Sequence, residues 1–99
     1  MKKLIIATLS TAVLFSANAY AEAPTKPAKI ASCVGCHGEG GHSVVPNFPK
    51  LAGQHAQYTI KQLKDFRDGF RKDASMAAFA KGLTDEEIKE IAEYYAAQK

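Results

Sequence analysis

Cys33-Val34-Gly35-Cys36-His37 is the stretch on which the reading of this chain turns. It is C-x-x-C-H, the pattern of covalent haem attachment. The chemistry accounts for the spacing: two thiols reach the two vinyl groups on one edge of a porphyrin and form thioethers. The adjacent His37 is then carried under the ring with its imidazole toward iron. Gly35 between the cysteines is read as letting the backbone curl so that both sulfurs face one edge. Two other chemistries use part of this pattern. A C-x-x-C pair alone can be a thiol–disulfide site, although no β-α-β pattern is visible to hold it. Cys33, Cys36, His37 and a fourth ligand, His42 or His55, would make a zinc set, although adjacent Cys36 and His37 suit one tetrahedral ion poorly.

The chain before the motif supports an oxidising compartment. Lys2 and Lys3 precede a run from Leu4 to Ala17 that is apolar and small, broken only by Thr8, Ser10, Thr11 and Ser16; Ala19-Tyr20-Ala21 closes it with A-x-A. This is the layout of a secretory signal peptide, with cleavage expected after Ala21 and a second candidate at Ala17-Asn18-Ala19. A membrane anchor would need about 20 predominantly apolar residues, more than this run offers. Residues 1–21 are therefore read as a leader and 22–99 as one domain, with no stable membrane insertion. A core that small usually needs a staple. A Cys33–Cys36 disulfide would close too short a loop to constrain much, so a buried cofactor is the natural completion. The formal charge of the 99 residues is +3, and the leader removes Lys2 and Lys3 from it; nothing in this balance suggests nucleic-acid binding.

Beyond the motif the pattern is helical throughout. A first helix is expected from about Pro27 to Val34, opened by Pro24 or Pro27. Gly38, Gly40, Gly41, Pro46 and Pro49 make residues 38–54 irregular. Ile60, Leu63, Phe66 and Phe70 form the apolar stripe of a helix from about His55, ending at Asp68-Gly69. Ala74–Lys81 is a shorter helix with Gly82 as its stop. Thr84 and Glu87 form a capping box ahead of the stripe Ile88, Ile91, Ala92 and Tyr95. No segment alternates with period two. The fold class is all-α: three to five short helices around one bound group.

Iron needs a second axial ligand, and Met76 is the single Met of residues 22–99. It reads equally as a filler of irregular core space. His42 and His55 are rivals, the first close to His37 in the chain, the second at a helix start.

Taken together, the sequence resembles a class I cytochrome c over nearly all of residues 27–97. C-x-x-C-H is followed by Gly38, and Pro49-Lys50-Leu51-Ala52-Gly53 is similar to that family's Pro-x-Leu-x-Gly segment. The resemblance implies that the Pro49 carbonyl accepts from Nδ1 of His37, fixing the ring and raising its basicity. It implies that Leu51 packs on the haem, that Gly53 takes positive φ, and that Gln54 and Tyr58 make polar contacts near a propionate, as in small bacterial relatives and the halves of di-haem ones. Met76 falls where the family places its axial Met, after the middle helix and ahead of the last. The N- and C-terminal helices are expected to cross, with Tyr94 or Tyr95 near Ala28, Ile30 or Ala31.

By this resemblance the chain is a monomeric periplasmic single-electron carrier of a Gram-negative bacterium, and not an enzyme. Its one haem c has axial His37 and Met76. Redox partners (a quinol-oxidising complex, a terminal oxidase or a periplasmic reductase of a respiratory chain) would dock transiently at an exposed haem edge. Lys61, Lys64, Arg67, Arg71 and Lys72 offer a basic rim, but Asp65, Asp68 and Asp73 are interleaved and read equally as a solvated mixed-charge face. The alternative is a small peroxidase-like haem enzyme or gas sensor with a labile sixth ligand.

Overall fold

The computed structural model describes residues 3–12 and 25–99. Residues 3–12 carry no regular secondary structure, and no described helix is long and apolar enough to cross a membrane. Both expected cleavage sites and the Pro24 start lie outside the described residues.

Four helices make up the rest: α1 Ala31–His37, α2 Ala56–Asp68, α3 Ala74–Ala80 and α4 Asp85–Ala96. Two 3-10 turns, Ala28–Ile30 and Glu39–Gly41, flank α1. No strand occurs among the described residues. Pro27 caps the first turn in extended conformation, and the turn runs directly into α1. The first helix therefore starts where expected but does not end at Val34. It continues to His37 and stops at Gly38, whose φ of +80° is open to glycine and strained for other residues.

The α2–α4 pair is the scaffold. Leu63 and Phe66 of α2 are buried, as are Ile88, Ile91, Ala92, Tyr94 and Tyr95 of α4. Ile30 joins this cluster from the N-terminal turn, so the start and end of the domain meet there, with both tyrosines in the cluster. Tyr94 and Tyr95 themselves meet edge to face, ring centroids 5.3 Å apart. Such a contact contributes about 0.5–1.5 kcal/mol beyond burial.

Phe70 does not extend the α2 stripe. Gly69 takes the left-handed conformation at φ +86° and ends the helix, and Phe70 is 84% exposed. Gly82 is not the stop of α3 either: Lys81 caps that helix with ordinary right-handed geometry. The start of α4 matches its sequence signature. Thr84 Oγ1 accepts from the Glu87 backbone N–H at 3.1 Å, and Glu87 Oε1 accepts from the Thr84 N–H at 3.0 Å.

Candidate haem site

The helical state of residues 31–37 places the motif's three side chains. Cys36 lies three residues and His37 four residues after Cys33, so all three share one face of α1. Gly35 is helical, and a Cβ on it would meet nothing within 4 Å. The curl once ascribed to Gly35 is thus ordinary α-helix, which does not require glycine.

His37 is 7% exposed, and its Nδ1 lies 2.8 Å from the Pro49 carbonyl oxygen. A carbonyl only accepts, so Nδ1 carries the proton and donates; Nε2 is left with its lone pair on the far side of the ring. That is the tautomer a metal-binding imidazole needs, and the bond fixes the ring's orientation. Leu51 and Ala52 are held in turn by N–H bonds to the Gly41 carbonyl, at 2.9 and 3.2 Å. Gly53 has φ +75° and donates to the Tyr95 carbonyl at 2.9 Å, tying this loop to α4.

These residues wall a cavity of about 430 Å³, within the usual range for cofactor sites. Cys33, Cys36 and His37 line it from α1. Pro49, Leu51 and Gln54 line it from the loop, Tyr58, Thr59, Leu63 and Phe66 from α2, Met76 and Phe79 from α3, Ile91 and Tyr95 from α4. Every residue singled out in the sequence as a haem contact is therefore on its wall. A smaller cavity of about 270 Å³ shares Ser32, Cys33, Leu63, Met76, Phe79 and Ile91 with it and is also lined by Ala80 and Leu83. Met76 is half-buried against the core, and its backbone N–H donates to Asp73 Oδ1 at 2.9 Å, the N-cap bond of α3.

Two groups in the cavity respond to burial. Burial raises the pKa of the Cys33 thiol, and the neighbouring Tyr95 phenol opposes that rise. Burial likewise pushes the Tyr95 phenol well above its ordinary value. Tyr95 Oη is fully enclosed with no hydrogen-bond partner among the described residues.

The zinc set is not assembled. Among the described residues no three His, Cys, Asp or Glu side chains group as a metal centre. His42 and His55 are exposed and line neither cavity, which also removes them as rivals to Met76. The donors present are an imidazole nitrogen and a thioether, facing an apolar space with two thiols at its edge. Those groups, with the orphaned phenol, fit a tethered porphyrin better than a bare ion.

Two of the α2 cations have carboxylate partners: Lys61 pairs with Asp65, and Arg67 binds Asp68 and Asp85 and donates to the Leu83 carbonyl. Arg71, beyond the helix, donates to Gln62 Oε1 at 2.7 Å and lies over the Phe66 ring. Thr59, Gln62, Phe66 and Phe79 line the cavity without having been singled out in sequence; for Phe79 the signal was its spacing of three from Met76 on one helix.

Residues 23–94 match the family model described as cytochrome c oxidase, cbb3-type, subunit III. The chain belongs to the cytochrome c family. This cytochrome c domain is 43% identical to cytochrome c4 of Pseudomonas aeruginosa over 100 residues, covering 100% of this chain and 50% of the relative. It is 46% identical to cytochrome c-554(548) of Halomonas halodenitrificans over 74 residues, covering 72% of this chain and 89% of the relative. Reduced recombinant cytochrome c4 from Pseudomonas stutzeri superposes with a TM-score of 0.62 at 40% identity, over 68% of this chain and 38% of that one. The chain spans about half the length of the cytochrome c4 relatives it matches. All-helical architecture and this likeness agree with the cytochrome c fold, and membership of the family implies covalently bound haem c.

Proposed function

We propose that this cytochrome c domain is a periplasmic single-electron carrier with one haem, tethered by Cys33 and Cys36 and ligated by His37 and Met76. The observation that carries the reading is the Nδ1–carbonyl bond from His37 to Pro49, which in the neutral ring leaves the Nε2 lone pair free, beside a cavity that Met76 also lines. In tethering, each S–H adds across one vinyl group, sulfur to one carbon and hydrogen to the other, so no oxidant is consumed. Bound there, haem supplies a reversible Fe(II)/Fe(III) couple.

The chain's own residues set the character of that couple. Pro49 holds the His37 ring and increases its basicity. A thioether ligand from Met76 raises the reduction potential relative to a second nitrogen. Apolar walls from Leu51, Leu63, Phe66 and Ile91 act in the same direction, because burial penalises the more highly charged ferric form. With His37 and Met76 both holding the iron, no position would remain for substrate, which favours a carrier over an enzyme. Gln54 and Tyr58, which also line the cavity, would make polar contact with a propionate. Removal of residues 1–21 after export is part of the same reading, as are transient partners among quinol-oxidising complexes, terminal oxidases or periplasmic reductases.

One observation favours a second reading, a peroxidase-like enzyme or gas sensor: Met76 also lines the smaller cavity, which offers that side chain space away from the larger one. An optical spectrum of the secreted protein decides between them. The carrier shows a sharp reduced α-band and a far-red ferric band from the thioether ligand; a high-spin spectrum supports the second reading. Met76→Ala is expected to abolish the far-red band and lower the potential. Retention of both by that variant refutes the ligand assignment.

A further inference from the structure

Tyr95 is a fully buried tyrosine whose ring has an evident packing task. Its edge lies so close to Gly41 that a Cβ there would stand 2.8 Å from Tyr95 Cδ1, and the ring meets that of Tyr94 in a T-shaped contact. Phenylalanine would do all of this. The hydroxyl is the surplus group, and it is enclosed with no hydrogen-bond partner among the described residues. A phenolic O–H taken out of water without a partner is a net cost, and such a group in a folded protein calls for an explanation.

Its position supplies one. Tyr95 and Cys33 both line the larger cavity, and Cys33 packs against the buried cluster that contains Tyr95. We propose that Tyr95 is a positioning residue for the haem tether, its hydroxyl donating a hydrogen bond to the Cys33 sulfur once that sulfur is a thioether. The inference rests on the covalent-haem reading given above. A thiol both donates and accepts, whereas a thioether sulfur has no hydrogen and accepts only. Attachment therefore fixes the direction of the bond, and the orphaned donor acquires an acceptor. A donor at this sulfur draws electron density from the substituted edge of the ring and favours the reduced state.

The test uses the secreted holoprotein. Mass analysis of the wild type comes first: a chain without a porphyrin adduct overturns the haem reading and this inference with it. With the adduct present, Tyr95→Phe is expected to lower the midpoint potential. The ratio of reduced to oxidised protein at a fixed applied potential should fall at least twofold, about 18 mV at about 59 mV per tenfold for one electron. Tyr94→Phe, which leaves the Tyr95 hydroxyl in place, is expected to keep the wild-type potential. In the ferrous wild type, a slowly exchanging Tyr95 hydroxyl proton should show a nuclear Overhauser effect to the Cys33 β protons. A Tyr95→Phe potential equal to wild type, or absence of that proton contact, overturns the proposal. The wild-type measurement decides even where the variant is not recovered with haem.

Discussion

Asp73→Ala removes one hydrogen bond from an exposed carboxylate, yet its effect should be read at Met76, the proposed sixth ligand. Asp73 Oδ1 accepts from the Met76 backbone N–H at 2.9 Å and is the side-chain N-cap of α3. That helix has seven residues, Ala74–Ala80, well below the roughly 12–15 at which an isolated helix becomes even marginal. It therefore leans on its cap and on the burial of Ala80. Loss of an N-cap to Ala costs about 1 kcal/mol, which increases the population of the opened segment about fivefold. An exogenous ligand that competes with Met76 binds only that opened form, so its apparent affinity rises by the same factor. The assay is an imidazole titration of the ferric protein, followed by loss of the far-red band. Asp73→Ala should bind imidazole about fivefold more tightly than wild type, by the same cap value. Asp73→Asn, which keeps a capping oxygen, should stay within about twofold. Equal affinities for all three proteins would refute the argument that this cap holds the methionine segment closed.

Two further outcomes follow from particular atoms. Gly41→Ala places a Cβ at φ +79°, 2.8 Å from the Ala52 nitrogen and 3.0 Å from Leu51 Cβ. Left-handed strain of about 1–2 kcal/mol and overpacking of about 1–3 kcal/mol should together lower urea stability by about 2–5 kcal/mol, whereas Gly35→Ala, in open space on a helix, should be neutral or stabilising. Arg67→Met should lose an acid-sensitive contribution: Arg67 holds the Asp68 and Asp85 carboxyls below their ordinary value of 3.8, so what it adds is fully present above about pH 4 and fades as pH falls through the lower folded values. The difference in urea midpoint between wild type and variant should accordingly be constant near neutrality and shrink below about pH 4; a difference that grows on acidification would contradict the ion pairs.

The parts of this fold legible in the sequence are those fixed by local chemistry. Thr84 and Glu87 announced the start of α4 because a capping box is made within four consecutive residues. Ile88, Ile91, Ala92 and Tyr95 announced its buried face through period alone. The bond from His37 to Pro49 came from resemblance and not from the residues, since nothing local says that a carbonyl twelve positions away meets an imidazole. The helix was expected to stop at Val34, so the helical state of Gly35, Cys36 and His37 was not legible; a glycine's propensity penalty of about 1 kcal/mol does not end the helix there. Phe70 was drawn into the α2 stripe because spacing ignores what Gly69 does to chain direction. Thr59, Gln62 and Phe79 became wall residues only when α2 and α3 were brought around one space, which no single helix encodes.

The loop that anchors His37 contains Pro46 and Pro49, each with a locked φ and each restricting the residue before it. Its histidine is thereby clamped from a stiff, pre-shaped support on one side and by a helix on the other. The methionine has no such vice: its support is a two-turn helix open to water at its first residues. The molecule is in effect a jaw with one fixed plate and one movable plate. Any exchange at the metal, whether with a small gas, peroxide or a foreign base, would enter by the movable plate, and a designer wishing to turn a carrier into a catalyst should leave the proline plate alone and loosen the other.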